Sequence, residues 1–168
     1  IDIGGPAMAR AAAKNYNDVT IITKVEQYSK LIDELKKNRG STSINFRNKM
    51  SEEAFNETAY YDAVIANYFN NQTKNFFPEK KIIFGKLFEK LRYGENPHQD
   101  GAIYCLNESI NIKQLNGKKL SYNNYNDIFS ALLLSNSLPK NIGTVIVKHA
   151  SPCGVSINKD KIKSYRLA

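Results

Sequence analysis

A polar segment at residues 71–81 divides the chain into two parts with different sequence patterns, and it constrains the possible folds more than any other feature. The segment contains Pro78 and a Glu-Lys-Lys run. Helical patterns dominate before it, whereas short strand-like stretches and Gly/Asn-rich loops follow it. We therefore expect a domain boundary here, with residues 1–75 in one domain and residues 76–168 in the next.

The first part joins helix-forming segments to one β-branched stretch, which is typical of an α/β fold. Gly4 and Gly5 are expected to break the chain, and Pro6 suits a first helical turn because its missing N–H has no helical partner there. The pattern predicts helices over residues 7–14, 26–38 and 51–70, the last beginning at Ser51, and a buried strand over residues 19–23.

The second part is predicted to contain short strands, a loop and a helix. The strands are expected over residues 82–84, 102–106 and 144–147, the last of them buried, the loop over residues 91–99 and the helix over residues 127–137. This pattern also favours an α/β class.

The positive charge of the chain is concentrated in the second part. The 168 residues carry a formal net charge of +8, and residues 76–168 hold 14 Lys and Arg against 7 Asp and Glu. Such a bias is expected of a nucleic-acid-binding protein, of a site for phosphate and carboxylate groups, or of a solvated lysine surface. Charge alone leaves all three open.

Composition excludes several other classes of protein. No apolar run approaches the ~18 residues of a membrane span, and no secretory leader pattern opens the chain. Cys105 and Cys153 lie far apart, so they indicate neither a disulfide framework nor a zinc site. We expect a cytoplasmic protein without a membrane partner.

Lys148 and His149 form the most specific candidate for catalysis, because they end a predicted strand and precede a predicted turn over residues 150–154. Ligands of open α/β sheets gather at the carboxyl ends of strands. A histidine there can accept a proton near pH 7, and a lysine can stabilise an oxyanion. A purely structural histidine remains the alternative.

His149 with Pro152-Cys153 also invites comparison with zinc deaminases. Their signature requires a Glu two residues after the His and a second Cys three residues after the first. Ser151 and Ser156 occupy these positions, so no catalytic metal is expected.

Two further segments carry groups suited to binding a nucleotide. In the loop after Leu91, Arg92 can bind phosphate or carboxylate and Tyr93 can stack on a heterocycle. Near the start of the chain, the segment before Pro6 leads into a helix amino terminus, where anions bind. Lys14 follows on that helix, and an exposed helix lysine is its structural alternative.

Together these motifs resemble one enzyme family, the bifunctional purine-biosynthesis enzymes that join AICAR formyltransferase to IMP cyclohydrolase. The resemblance is carried by four segments in the family's order. They are Ile1-Asp2-Ile3-Gly4-Gly5-Pro6 with Arg10 to Asn15, Leu91 to Gln99, Leu120-Ser121-Tyr122-Asn123-Asn124, and Val147-Lys148-His149 with Pro152-Cys153-Gly154. The family usually has Asn where Ser151 stands.

The resemblance implies the fold and the roles of individual residues. Residues 1–75 would be the C-terminal part of a Rossmann-like cyclohydrolase domain similar to methylglyoxal synthase, and residues 76–168 the N-terminal part of a cytidine-deaminase-like transformylase domain. Catalytic roles would belong to Lys148, His149 and Lys14, and substrate-binding roles to Asp2, Ile3, Arg92 and Tyr93. The co-substrate would be 10-formyltetrahydrofolate.

The resemblance also implies an internal fragment that lacks parts of both sites, so the 168 residues alone are expected to be inactive. The implied ligands are AICAR, formyl-AICAR, IMP and folate, and the full-length form would be a homodimer. A basic nucleic-acid-binding module and a non-catalytic interaction module are the alternatives, although the sequence lacks the aromatic and basic spacing of known nucleic-acid modules.

Overall fold

A computed structural model describes residues 1–106, 110 and 112–168 of the chain. They form two compact units, one of residues 1–84 and the other of residues 85–168. The division follows Phe84, just beyond the polar segment rather than within it. The described residues contain both helices and strands, as expected of a mixed α/β chain, but every strand lies in the second unit, so the α/β pattern expected within the first part is not found.

The first helix, α1, spans Gly4–Lys14 and therefore begins earlier than expected. The glycines do not break the chain here. Gly5 N donates to Asp2 Oδ1 at 3.2 Å, and Pro6 lies in the first turn, where no N–H is needed. The predicted end at Lys14 is confirmed.

The strand predicted over residues 19–23 is wrong. Residues 1–84, all of which are described, contain no strand, so this β-branched segment has no ladder partner. Its end is held instead by one side chain of the following 3-10 turn, Val25–Gln27. Gln27 Oε1 accepts from Thr23 N at 2.9 Å and from Lys24 N at 3.0 Å. Strand propensity reflects side-chain packing, and it creates no strand where no second strand pairs.

Two more helices complete the first unit. Helix α2 spans Tyr28–Lys37, close to the predicted bounds. Helix α3 spans Ile44–Gln72 as one 29-residue helix whose cap is Ser43, where Oγ accepts from Phe46 N. The predicted start at Ser51 is wrong because this serine lies buried inside the helix and donates to the carbonyl oxygen of Ala13 at 2.7 Å. The α1–α3 contact forms the core of the unit.

The second unit contains two antiparallel hairpins and two helices. Strand β1 is Lys86–Lys90, β2 is Ala102–Cys105, α4 is Tyr122–Ser135, β3 is Gly143–Lys148, β4 is Ser151–Ile157 and α5 is Lys161–Leu167. β1 pairs with β2, and β3 pairs with β4. The expected strands in β2 and β3 are confirmed, although β3 is half-buried rather than buried.

Other boundaries in this part of the chain differ from the sequence-based expectations. The strand predicted over residues 82–84 is wrong, because these residues pair with no other strand in the described part of the chain. The Phe84 ring packs edge-on against the Tyr60 ring. Helix α4 begins before the predicted residue 127 because Ser121 caps it. Most of the turn predicted over residues 150–154 belongs to strand β4.

Candidate active site

The loop of residues 91–101 joins β1 to β2 and is closed by its own backbone. Leu91 N donates to Gly101 O at 2.8 Å, and Gly94 N donates to Gln99 O at 2.6 Å. Gly94 is buried, and a Cβ there would lie 3.0 Å from the carbonyl oxygen of Asp100. A side chain at position 94 would therefore crowd the backbone of the loop where it folds back on itself.

Arg92 and Tyr93 form a contacting pair on this loop. The guanidinium carbon of Arg92 lies 5.0 Å from the centre of the Tyr93 ring, and Nη2 lies 3.4 Å from the tyrosine hydroxyl. Arg92 is exposed and Tyr93 is half-buried. The pair presents a planar cation and an aromatic ring side by side, which suits a ligand with an anionic group and a planar ring.

A cavity of about 340 Å³ lies beside β2 and helix α4. Its lining is mainly aromatic and aliphatic and includes Leu91, Tyr104, Tyr122, Tyr125 and Phe129. Tyr125 is only 6% exposed, and its hydroxyl donates to Glu89 Oε2 at 2.7 Å. Burial, and then the bond to the Glu89 carboxylate, raise the pKa of Tyr125 to about 12. This part-buried contact joins α4 to β1.

Lys148 and His149 lie where β3 turns into β4. Lys148 pairs with Ser151, so His149 and Ala150 form a two-residue hairpin turn. Their φ angles are 52° and 60°, both in the left-handed region that favours glycine. Lys148 and His149 are exposed, and Lys148 ends a strand that leads into a turn, as expected. The sheet at this strand end is a two-stranded antiparallel hairpin and not an open α/β sheet.

Two contacts shape this turn. Ala150 N donates to Asp127 Oδ1 of helix α4 at 2.7 Å. The register shifts after Ile146, leaving Cys153 as the extra residue of a bulge in β4, and its Sγ lies 3.5 Å from the Ile146 carbonyl oxygen. Sequence patterns did not single out Asp127, and its partner lies 23 residues further along the chain.

Asp2 and Ile3 lie at the start of α1. Asp2 N donates to the Tyr61 hydroxyl at 2.8 Å, and the Asp2 carboxylate lies so close to Gly5 that a Cβ there would collide with it. Ile3 is exposed, and its carbonyl oxygen accepts from Ala7 N at 3.1 Å in the first turn of α1. A carboxylate and exposed backbone at a helix start can hold the hydroxyl and amide groups of a ligand.

Lys14 lies at the opposite end of α1, exposed to solvent. With a rise of 1.5 Å per residue, it is about 15 Å from Gly4 along the helix. Asp2 and Lys14 are therefore not side by side. The neighbouring Ala13 is fully buried and accepts from Ser51, so the backbone that carries Lys14 is fixed by α3.

Comparison with known proteins identifies the family. The family described as "AICARFT/IMPCHase bienzyme" matches residues 12–168. The chain belongs to this bienzyme family. The resemblance found in the sequence motifs is thereby confirmed, and the match includes Lys14, Arg92, Tyr93, Lys148 and His149.

Individual relatives match the chain over its whole length. It is 44% identical to the bifunctional purine biosynthesis protein PurH of Bradyrhizobium diazoefficiens over 174 aligned residues, with 100% of the chain and 33% of that protein covered. The PurH proteins of Listeria welshimeri and Agrobacterium fabrum are also 44% identical, with 34% and 32% of their lengths covered. The chain thus spans about a third of the curated relatives it matches.

These bienzyme relatives also cover the residues that the family match leaves out, since Asp2 and Ile3 precede residue 12. Among the helices of the described part, none has the length and apolar character needed to cross a membrane. Within residues 1–106, 110 and 112–168, no three His, Cys, Asp or Glu side chains group together as metal ligands.

Proposed function

We propose that the chain is an internal part of a bifunctional purine-biosynthesis enzyme. In this proposal the whole protein transfers a formyl group from 10-formyltetrahydrofolate to AICAR and then closes formyl-AICAR to IMP with loss of water. The observation that carries the proposal is the family match, which runs from residue 12 through both structural units to residue 168. One chain therefore carries candidate residues for both reactions.

The two activities divide between two parts of the chain. Residues 1–75, which contain helices and no strand, are assigned to the C-terminal part of the cyclohydrolase domain, and that domain as a whole is proposed to have a Rossmann-like fold similar to methylglyoxal synthase. Residues 76–168 are assigned to the N-terminal part of the transformylase domain, with a cytidine-deaminase-like fold. The separation of the structure into two compact units supports a division, although it lies after Phe84.

For formyl transfer, the exposed hairpin turn supplies the proton-transfer groups. His149 accepts a proton from the 5-amino group of AICAR as its nitrogen bonds to the formyl carbon. Lys148 stabilises the developing oxyanion or donates a proton to the folate nitrogen as the carbon–nitrogen bond to it breaks. The amine is a poor nucleophile because its lone pair is delocalised, so orientation of His149 matters as much as its basicity.

Arg92 and Tyr93 bind the nucleotide in this proposal. Their contact holds the guanidinium beside an aromatic ring, and Arg92 remains exposed for an anionic group. The excess of Lys and Arg in residues 76–168 then serves the nucleotide phosphate and the folate carboxylates without requiring nucleic acid.

For ring closure, the groups on α1 take part. Lys14 transfers a proton, while the Asp2 carboxylate and the Ile3 backbone contact the nucleotide. Support comes from the exposure of all three residues and from the contacts that fix both ends of the helix. The structure separates Asp2 and Lys14 along the helix, so a ligand touching both must extend along it.

The whole protein is proposed to be a cytoplasmic homodimer, with no catalytic metal and with the transformylase site shared between two subunits. The test is to supply the purified whole protein with AICAR and 10-formyltetrahydrofolate and to follow tetrahydrofolate release and IMP formation. We expect both products from the whole protein and neither from the 168 residues alone. Absence of IMP with the whole protein would refute the proposed function, and tetrahydrofolate release by the 168 residues would refute the proposed incomplete site.

A further inference from the structure

The turn that carries His149 has an unusual backbone for its sequence. Both central residues have positive φ, which a two-residue hairpin of this kind requires, and asparagine or glycine normally fill these positions. Here they are histidine and alanine, and the left-handed conformation is unfavourable for alanine in particular. Such a turn persists only where surrounding contacts impose it.

One side chain outside the hairpin contacts the turn directly. Asp127 Oδ1 accepts the Ala150 N–H at 2.7 Å, a short bond of the kind that a charged acceptor forms. Asp127 lies on α4, whose start is capped by Ser121 and which packs against β3. The carboxylate is therefore fixed relative to the hairpin that it holds.

We propose that Asp127 is a positioning residue for His149, holding the His149–Ala150 turn in its left-handed conformation through the Ala150 N–H. The inference rests on the proposed role of His149 in formyl transfer. The direction of the imidazole depends on φ at His149, because φ and ψ fix where the Cβ projects from the strand end. If the turn relaxes to negative φ, the ring leaves the position from which it meets the amine.

The closing experiment measures formyl transfer in the whole protein with Asp127→Ala and Asp127→Asn. We expect kcat to fall by about 10- to 100-fold in Asp127→Ala, because a misplacement near 1 Å costs about that much. KM for AICAR should stay close to that of the unchanged protein, since Arg92 and Tyr93 lie on another loop. Asp127→Asn keeps an oxygen acceptor for the Ala150 N–H, so its kcat should fall less than that of Asp127→Ala. This variant therefore tests the proposal even if Asp127→Ala folds poorly.

A matched control is available in the same unit. Asp160 Oδ1 also accepts backbone N–H groups, those of Ile162 and Lys163 at the start of α5, but it does not contact the turn. Asp160→Ala removes a comparable carboxylate, the N-cap of α5, and should leave kcat within about twofold, since neither Asp160 nor the N–H groups it binds contact the His149–Ala150 turn. An equal fall in kcat for both variants would overturn the positioning role.

Rescue tests the conformational argument itself. Glycine adopts positive φ without a steric penalty, so Ala150→Gly added to Asp127→Ala should recover most of the lost kcat. A double variant as slow as Asp127→Ala, or an Asp127→Ala variant with unchanged kcat, would overturn the inference. His149→Ala separates the two proposals, because unchanged formyl transfer in that variant would refute the role of His149 itself.

Discussion

The two units fix their candidate site residues in different ways. In the first unit, Lys14 ends a helix, and side chains of α3 bind the backbone around that end. In the second unit, His149 lies on a hairpin turn whose conformation is intrinsically unfavourable, and one carboxylate contacts it from outside. The end of α1 is thus fixed by several contacts, whereas the His149–Ala150 turn depends on few. Single substitutions at these contacts should therefore have different effects in the two units.

The largest expected effect on stability is at Arg47, which binds the segment that follows α1. Its side chain donates to the carbonyl oxygens of Tyr16, Asn17 and Thr42, and the Thr42 hydroxyl lies within 3.3 Å. Arg47→Ala should lower the free energy of unfolding of the first unit by about 3 kcal/mol, because hydrogen bonds to charged groups contribute about 1.5–3 kcal/mol each and are not additive. Chemical denaturation measures this.

The control for Arg47 is Lys30→Ala, which removes an exposed cation from α2. It should change the free energy of unfolding by no more than about 0.5 kcal/mol. Equal effects of the two variants would contradict the claim that Arg47 fixes the end of α1.

In the second unit, the part-buried Tyr125–Glu89 contact can be removed with Tyr125→Phe. We expect the free energy of unfolding to fall by about 1 kcal/mol, since Glu89 loses the Tyr125 hydroxyl but keeps Lys119 Nζ at 3.6 Å from Oε1. The matched control is Tyr122→Phe, which removes a hydroxyl from an exposed tyrosine at the start of the same helix. If both tyrosine variants lose the same stability, the part-buried contact does not hold α4 on β1.

The same contact predicts a pH dependence. The pKa of Tyr125 is raised from 10.0 to about 12 in the folded state, chiefly by burial. A raised folded-state pKa gives stability that is complete below about pH 10 and is lost as the pH rises through about 12. The difference in free energy of unfolding between the wild type and Tyr125→Phe should therefore shrink over this range, and a constant difference would contradict the assignment.

A smaller effect is expected at Ser51, whose hydroxyl donates to the Ala13 carbonyl oxygen beside Lys14. Ser51→Ala leaves that buried carbonyl without the bond and should cost about 1 kcal/mol.

The smallest effect belongs to the exposed ion pair in which Lys24 Nζ lies 2.8 Å from Glu57 Oε2. Glu57→Gln should cost less than about 0.5 kcal/mol, and thermal melts that rank these two variants in reverse would contradict the account of the α1–α3 contact.

The elements that sequence patterns predicted correctly are those whose signals are local. The end of α1 at Lys14 follows from an alanine-rich run that meets Asn15-Tyr16-Asn17-Asp18, and β3 follows from consecutive β-branched residues. Residues 19–23 carry the same β-branched signal but form no strand, because pairing depends on a partner that local composition does not reveal. Ser51 has the sequence context of a helix cap, but its hydroxyl donates to the Ala13 carbonyl oxygen of helix α1.

For the candidate site, sequence patterns indicate residue types and their place along the chain, but not the contacts around them. Lys148 ends a strand as predicted, but the sequence does not indicate that β4 pairs back directly, because His149-Ala150 lacks the Asn-Gly signal of a two-residue hairpin turn. Asp127 carries no motif at all, and only the folded arrangement brings it to Ala150. Long-range hydrogen bonds of this kind leave no spacing pattern in a sequence.

The most direct test of the central claim separates the two activities in the whole protein by single substitutions. His149→Ala should lower formyl transfer by about 10²- to 10⁴-fold, the usual contribution of a positioned base, and leave ring closure of formyl-AICAR unchanged. Lys14→Ala should lower the rate of ring closure and leave formyl transfer unchanged. The assignment of the two units to two reactions would be contradicted if either variant lost both activities. It would also be contradicted if both variants kept both activities.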